Sequence, residues 1–94
     1  MQYLVIAYDG TDEGAPARRA AVRAAHLAGV QKLDEAGTML CGGALLDEGE
    51  RMIGSACVVE FPDRAALDAW LARDPYVTGD VWRRIEVLPF RRAV

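Results

Sequence analysis

The spacing of hydrophobic positions switches between strand-like alternation and helix-like recurrence along the chain, and each switch marks an element boundary. Tyr3 to Tyr8 is a β-type run closed by the turn signal Asp9-Gly10. Residues 9–15 form a polar, glycine-containing loop, and Pro16 stands where a first helical turn tolerates proline. From Ala17 to about Ala36, alanines and larger apolar residues recur at helical spacing, and Gly37 supplies a stop. Thr38 to Leu46 reads as a second strand, in which Gly42-Gly43 signals a bulge or the close approach of another group. Asp47-Glu48-Gly49-Glu50 is a hairpin turn, and Met52 to Phe61 returns antiparallel. Pro62 and Asp63 open a second helix, with Asp63 as its cap, running through Ala66, Leu67, Trp70 and Leu71. It stops at Asp74-Pro75, because proline disfavours helical geometry in the residue before it. Val81 to Phe90 is the last strand.

The order βαββαβ predicts a ferredoxin-like α+β domain over residues 1–94, with both helices on one face of a four-stranded antiparallel sheet. The other face of such a sheet normally turns polar. Here it does not. In the first strand Tyr3, Val5 and Ala7 point one way and Leu4, Ile6 and Tyr8 the other; in the third, Ile53, Cys57, Val59 and Phe61 oppose Ala56 and Val58. A sheet apolar on both faces needs cover on both, and a second copy packed face to face supplies it, at about 25 cal/mol for each Å² of apolar surface removed from water. Length points the same way. With 94 residues, 52% of them apolar, there is room for one core, and a domain this small buries only about 60% of its unfolded surface alone. A homodimer is the expectation.

Net charge narrows the choice of partners. At −3 the chain lacks the basic footprint of a nucleic-acid binder, and no stacking aromatics alternate with the arginines Arg83, Arg84, Arg91 and Arg92 near its end. No apolar run is long enough for a membrane-spanning helix. The N-terminal stretch has no basic n-region and reads as a strand, not as a signal peptide; a cytoplasmic location is the expectation. Cys41 and Cys57 fall in the two arms of one hairpin, near enough to be neighbours, and are read as small buried hydrophobes. A metal site needs three or four ligands, and none is expected here.

Two polar residues stand out. His26, the only histidine, falls within the stripe made by Val22, Ala25, Gly29, Val30 and Leu33, so it faces the sheet or its margin. Arg23 and Arg19 stand on the flank of that stripe, one and two turns earlier, where either could reach an anion near the imidazole. Asp74 lies at the C-terminal end of the second helix, where the dipole disfavours a negative charge. A carboxylate there is explained if it answers a cation or an imidazole, or if Asp74-Pro75 serves as a helix-breaking turn.

Arg23-Ala24-Ala25-His26-Leu27, Gly42-Gly43, Gly54-Ser55, Asp74-Pro75-Tyr76-Val77 and the closing strand Trp82–Phe90 together resemble, in order and spacing, the YCII-related domain family. The resemblance spans essentially the whole chain. It implies a small dimeric α/β-barrel protein, related in fold to muconolactone isomerases and antibiotic-synthesis monooxygenases, with a catalytic histidine and aspartate in a pocket. By motif match these are His26 and Asp74. Some members resemble dehalogenases that eliminate chloride from ring-degradation intermediates.

An aspartate bound to one imidazole nitrogen fixes the tautomer and frees the other nitrogen to take a proton from substrate. Such chemistry suits isomerisation or elimination beside a carbonyl of a small organic acid, with Arg23 steadying an oxyanion or carboxylate. Ser55 and Tyr76 are the further candidates for substrate contact. Ser55 lies in a strand without a nucleophile elbow, so it reads as structural or pocket-lining. Glycine-rich phosphate cradles are missing and no cofactor is expected. The competing expectations are a non-catalytic metabolite-binding protein and a structural dimer.

Overall fold

The strand-period runs are strands in the computed structural model, which describes residues 1–94. The elements are β1 (Gln2–Asp9), α1 (Ala15–Glu35), β2 (Met39–Leu46), β3 (Met52–Glu60), α2 (Arg64–Arg73), the single turn α3 (Pro75–Thr78) and β4 (Trp82–Phe90). The sheet runs β2-β3-β1-β4, antiparallel throughout, which is the ferredoxin-like order. Alternation in β1 decides the layering: Tyr3, Val5, Ala7 and Asp9 are buried, whereas Leu4, Ile6 and Tyr8 are only half-buried. The helices cover the first set, and the core forms where Leu67, Trp70 and Leu71 of α2 meet Tyr3, Val5 and Val59.

Local chemistry sets the boundaries. Asp63 accepts a hydrogen bond from the Ala66 amide at 2.9 Å, capping α2 as expected. At the end of α1, Gly37 adopts φ 77°. Its amide donates to the Asp34 carbonyl and that of Thr38 to the Leu33 carbonyl, so two otherwise orphaned carbonyls are satisfied. Nothing in the sequence pattern marks the turn α3, because four residues carry no periodicity.

Register separates the two cysteines. Cys57 pairs with Gly42 and Cys41 with Val58, so their side chains leave opposite faces of the sheet. Both thiols are free. The glycine pair divides likewise. A Cβ on Gly42 would press on Cys57 and on the Met39 sulfur at 3.2 and 3.3 Å, whereas one on Gly43 would meet open space. No helix is long and apolar enough to cross a membrane.

Candidate active site

Along α1 the residues turned to the sheet are Arg19, Val22, His26, Val30 and Leu33. Arg19 is therefore on the inner face, seven residues and two full turns before His26, and not on the flank. Ala25 and Gly29, expected in the inner stripe, are exposed, as is Arg23.

Nδ1 of His26 lies 2.8 Å from Oδ1 and 3.1 Å from Oδ2 of Asp74, both side chains being almost wholly buried. Asp74 is held in turn. It ends α2 and caps α3, its Oδ1 accepting the Tyr76 amide at 2.8 Å. The helix-dipole conflict inferred for Asp74 is thus met by a second helix start, where a carboxylate is favourable. A carboxylate only accepts, so with Asp74 in that form the proton of this bond is on Nδ1 of the imidazole. Nε2 has no hydrogen-bond partner within the chain.

Aromatic rings fix the plane of the imidazole. Tyr76 stacks on it with centroids 3.8 Å apart, and Trp82 meets it edge-on at 5.5 Å. Burial raises the Tyr76 phenol above its ordinary pKa, with the Arg19 and Arg23 guanidiniums opposing, so the hydroxyl keeps its proton. The burial of Trp82 depends on an irregularity. Ile85 and Val87 of β4 share the helix side with Ala7 and Val5, and unbroken alternation would bring Arg83 inward. The register shifts between Tyr8 and Asp9, so that Asp9 pairs with Trp82; the indole enters the core and Arg83 stays outside.

A second ion pair sits beside the first. Nη1 of Arg19 donates to both carboxylate oxygens of Asp9 at 2.9 and 3.0 Å, with both side chains buried. Nη2 donates to Ser55 Oγ at 3.2 Å, and the guanidinium lies over the Tyr76 ring at 4.7 Å. Nε of Arg19 is buried without a partner, which costs about 1–3 kcal/mol. Removing either partner of a buried pair costs about 3–5 kcal/mol. The sequence pattern shows Asp9 only as part of a turn signal. The clue to its role is its phase: it continues the inward set Tyr3, Val5, Ala7, and a carboxylate in that set requires a cation.

These groups border one cavity of about 200 Å³ between α1 and the sheet. His26, Arg19, Arg23, Ser55, Tyr76 and Trp82 line it, so every sequence-predicted site residue reaches the cavity except Asp74, which stands behind the imidazole. Gly54 places Ser55: any Cβ there would collide with the Ala7 carbonyl, so only glycine lets β3 approach β1 this closely. Arg23 makes no ion pair and is the cavity's free cation. No three His, Cys, Asp or Glu side chains converge to hold a metal ion.

The sequence profile of the YCII-related domain matches residues 1–91. The chain belongs to the YCII-related domain family. Protein YciI of Escherichia coli is 34% identical to it across 98% of both chains. Among solved structures, the 5-chloro-2-hydroxyhydroquinone dehydrochlorinase of Burkholderia phenoliruptrix, in complex with 2,5-dihydroxybenzoquinone, superposes with a TM-score of 0.86. It is 21% identical and the match covers 99% of this chain and 96% of that one. A dimeric ferredoxin-like protein of unknown function from Jannaschia superposes with a TM-score of 0.50 at 20% identity, covering 97% and 98% of the two chains. At these identities the structural matches establish the fold, and the chemistry of this YCII-related chain is argued from its own residues.

Proposed function

We propose that the chain is a small-molecule enzyme in which His26 moves a proton to and from substrate and Asp74 holds the imidazole in the tautomer that leaves Nε2 basic. The observation that carries this reading is an imidazole bound through Nδ1 to a buried carboxylate at 2.8 Å while lining a cavity of about 200 Å³. A histidine with only a structural role has no need of a cavity beside it. The reaction class is isomerisation or elimination next to a carbonyl. His26 takes a proton from carbon or hydroxyl, the freed pair moves into the conjugated system, and in elimination a halide leaves with its bonding pair. Positioned acid–base groups of this kind contribute about 10²–10⁴-fold. The likeness in fold to a dehydrochlorinase that binds a dihydroxybenzoquinone supports a planar, oxygen-rich ring as substrate. Arg23 is placed to receive an anionic group on it.

The functional unit in this proposal is a homodimer joined through the sheet face that the helices leave open. Its apolar character and the dimeric relative in fold support that assembly.

The test combines turnover with nitrogen NMR of the single imidazole, against chlorinated hydroxyhydroquinones and enolisable cyclic ketones. His26→Gln and Asp74→Asn should each lose about 10²–10⁴-fold in turnover while still binding substrate. The wild-type ring should carry its proton on Nδ1, and Asp74→Asn should scramble that preference, since an amide can donate as well as accept. Undiminished turnover by His26→Gln would refute the acid–base role.

A further inference from the structure

The cavity beside His26 is lined unevenly along its length, and two independent spacings order it the same way. Along α1 the lining residues are Arg19, Arg23, His26, Leu27 and Val30, so the charged side chains precede the imidazole and only apolar ones follow it. Val30 lies one helical turn, about 6 Å, beyond His26. The floor is built of cross-strand rows. Ala44, Ser55 and Ala7 form the first; Gly42, Cys57 and Val5 form the next, two residues or about 6.6 Å further on. Arg19 sits over the first row, bonded to Ser55, and α1 ends four residues before Met39, so helix and floor run in parallel. Met39 and Trp70 complete the second end, and the Trp70 ring is fixed by stacking on Phe61 with centroids 5.7 Å apart. No side chain at this end carries a charge. The Cys57 thiol keeps its proton, because burial pushes it up to about 12.

Nothing in the backbone calls for glycine at 42. Gly37 is the only glycine with positive φ, and a glycine inside a strand weakens it. A Cβ on Gly42 would lie 3.2 Å from Cys57 Cβ and 3.3 Å from Met39 Sδ, so its absence holds the apolar end open. Water gains little in a space without polar partners, whereas an apolar group gains contacts that are otherwise missing. We infer, resting on the acid–base reading above, that the ring reacting at His26 carries a short alkyl substituent, which lies over Gly42 and Cys57 between Val30, Met39 and Trp70. Gly42 and Cys57 are then the residues that set specificity. The oxygen-bearing edge of the ring stays with Arg23, and the substituent points away from it without taking part in the proton transfer. Because β2 is the edge strand and Gly42 is exposed, a chain too long for this end passes into water at the rim of the sheet.

The test is calorimetric binding of 2,5-dihydroxybenzoquinone and its 3-methyl, 3-propyl and 3-pentyl derivatives. Each methylene taken out of water should strengthen wild-type binding about fourfold, until the chain reaches the rim and the gain levels off. Gly42→Val puts a branched side chain into the apolar end from a strand that suits it, and should abolish the gain from methyl to propyl. Cys57→Leu fills the same end from β3 and should do likewise, with circular dichroism confirming that each variant folds. A wild type indifferent to the substituent, a gain per methylene that survives in either folded variant, or no binding of any of the four probes would overturn the assignment. His26→Gln keeps the two readings apart, since it removes the base and leaves the apolar end intact. It should lose turnover and retain the dependence on chain length. Lost turnover with a flat series would sink the substituent alone; retained turnover with a rising series would sink the acid–base reading alone.

Discussion

Arg19 and Asp9 show what a single residue's phase is worth. Both are charged, both are buried, and neither is conspicuous by composition; each is exposed as a core group only by where the period of its element puts it. Arg19 shares the face of His26 because seven residues are close to two helical turns, and Asp9 shares the face of Ala7 because strands alternate. Arg23, three residues before His26, is displaced by about 60° around the helix and ends at the mouth of the cavity. Cys57 illustrates the same logic applied to reactivity. Burial pushes its thiol up to about 12, so at neutral pH almost none is thiolate, the only nucleophilic form. In a Cys41→Ser background, alkylation of Cys57 should accelerate about tenfold for each unit of pH from 7 to 10, without levelling off. A plateau near pH 8 would show that the thiol ionises as an exposed cysteine does.

At the scale of elements, the strands and both long helices are legible because each carries a period, a cap or a breaker: Asp63 at the start of α2, Gly37 at the end of α1, Pro75 at the end of α2. What the pattern did not show was the turn α3 and the register shift beside Asp9, which depend on pairing between distant segments. Both matter to the candidate site, since α3 supplies the amide that holds Asp74 and the shift brings in Trp82. His26 and Asp74 were singled out by their unfavourable surroundings; that they meet is a property of the fold. Gly37 and Gly54 separate backbone conformation from packing. Gly37 has φ 77° and nothing within 4 Å of a Cβ, so Gly37→Ala should cost about 1–2 kcal/mol, from backbone strain alone. Gly54→Ala should cost clearly more, because its Cβ meets the Ala7 carbonyl and β3 must move off β1. Urea midpoints at unchanged m-value would check the first. Similar costs for the two would contradict the packing argument.

For the molecule as a whole, the unresolved demand is the sheet face away from the helices. Leu4, Ile6, Ala56 and Val58 lie there half-buried at best, Leu88 is 47% exposed, and Cys41 is exposed beside them. Four strands of about eight residues present a flat area of about 350–400 Å². Burying it on two copies removes about 700–800 Å² from water, a gross gain of about 18–20 kcal/mol if all of it were apolar. Association costs about 4–15 kcal/mol and stable interfaces bury more than about 1,000 Å², so a dimer through this face needs its rim as well as its flat centre, and the charged Arg84 and Glu86 on it lower the gain. Ile6 is the place to test this. It sits mid-strand, and its cross-strand neighbours are Ala56 and Glu86. Ile6→Lys gives Glu86 an opposite charge within the chain, so the fold of one copy gains a favourable cross-strand pair. In the dimer the ammonium and the Glu86 carboxylate must both leave water, and their mutual attraction only partly offsets that desolvation. Sedimentation equilibrium should therefore find two chains per particle for the wild type and one for Ile6→Lys, with unchanged circular dichroism and with Cys41 newly open to alkylation. A wild type that sediments as a single chain at tens of micromolar would mean that this face is stable in water as it stands, and that the apolar alternation on it answers to something other than a second copy.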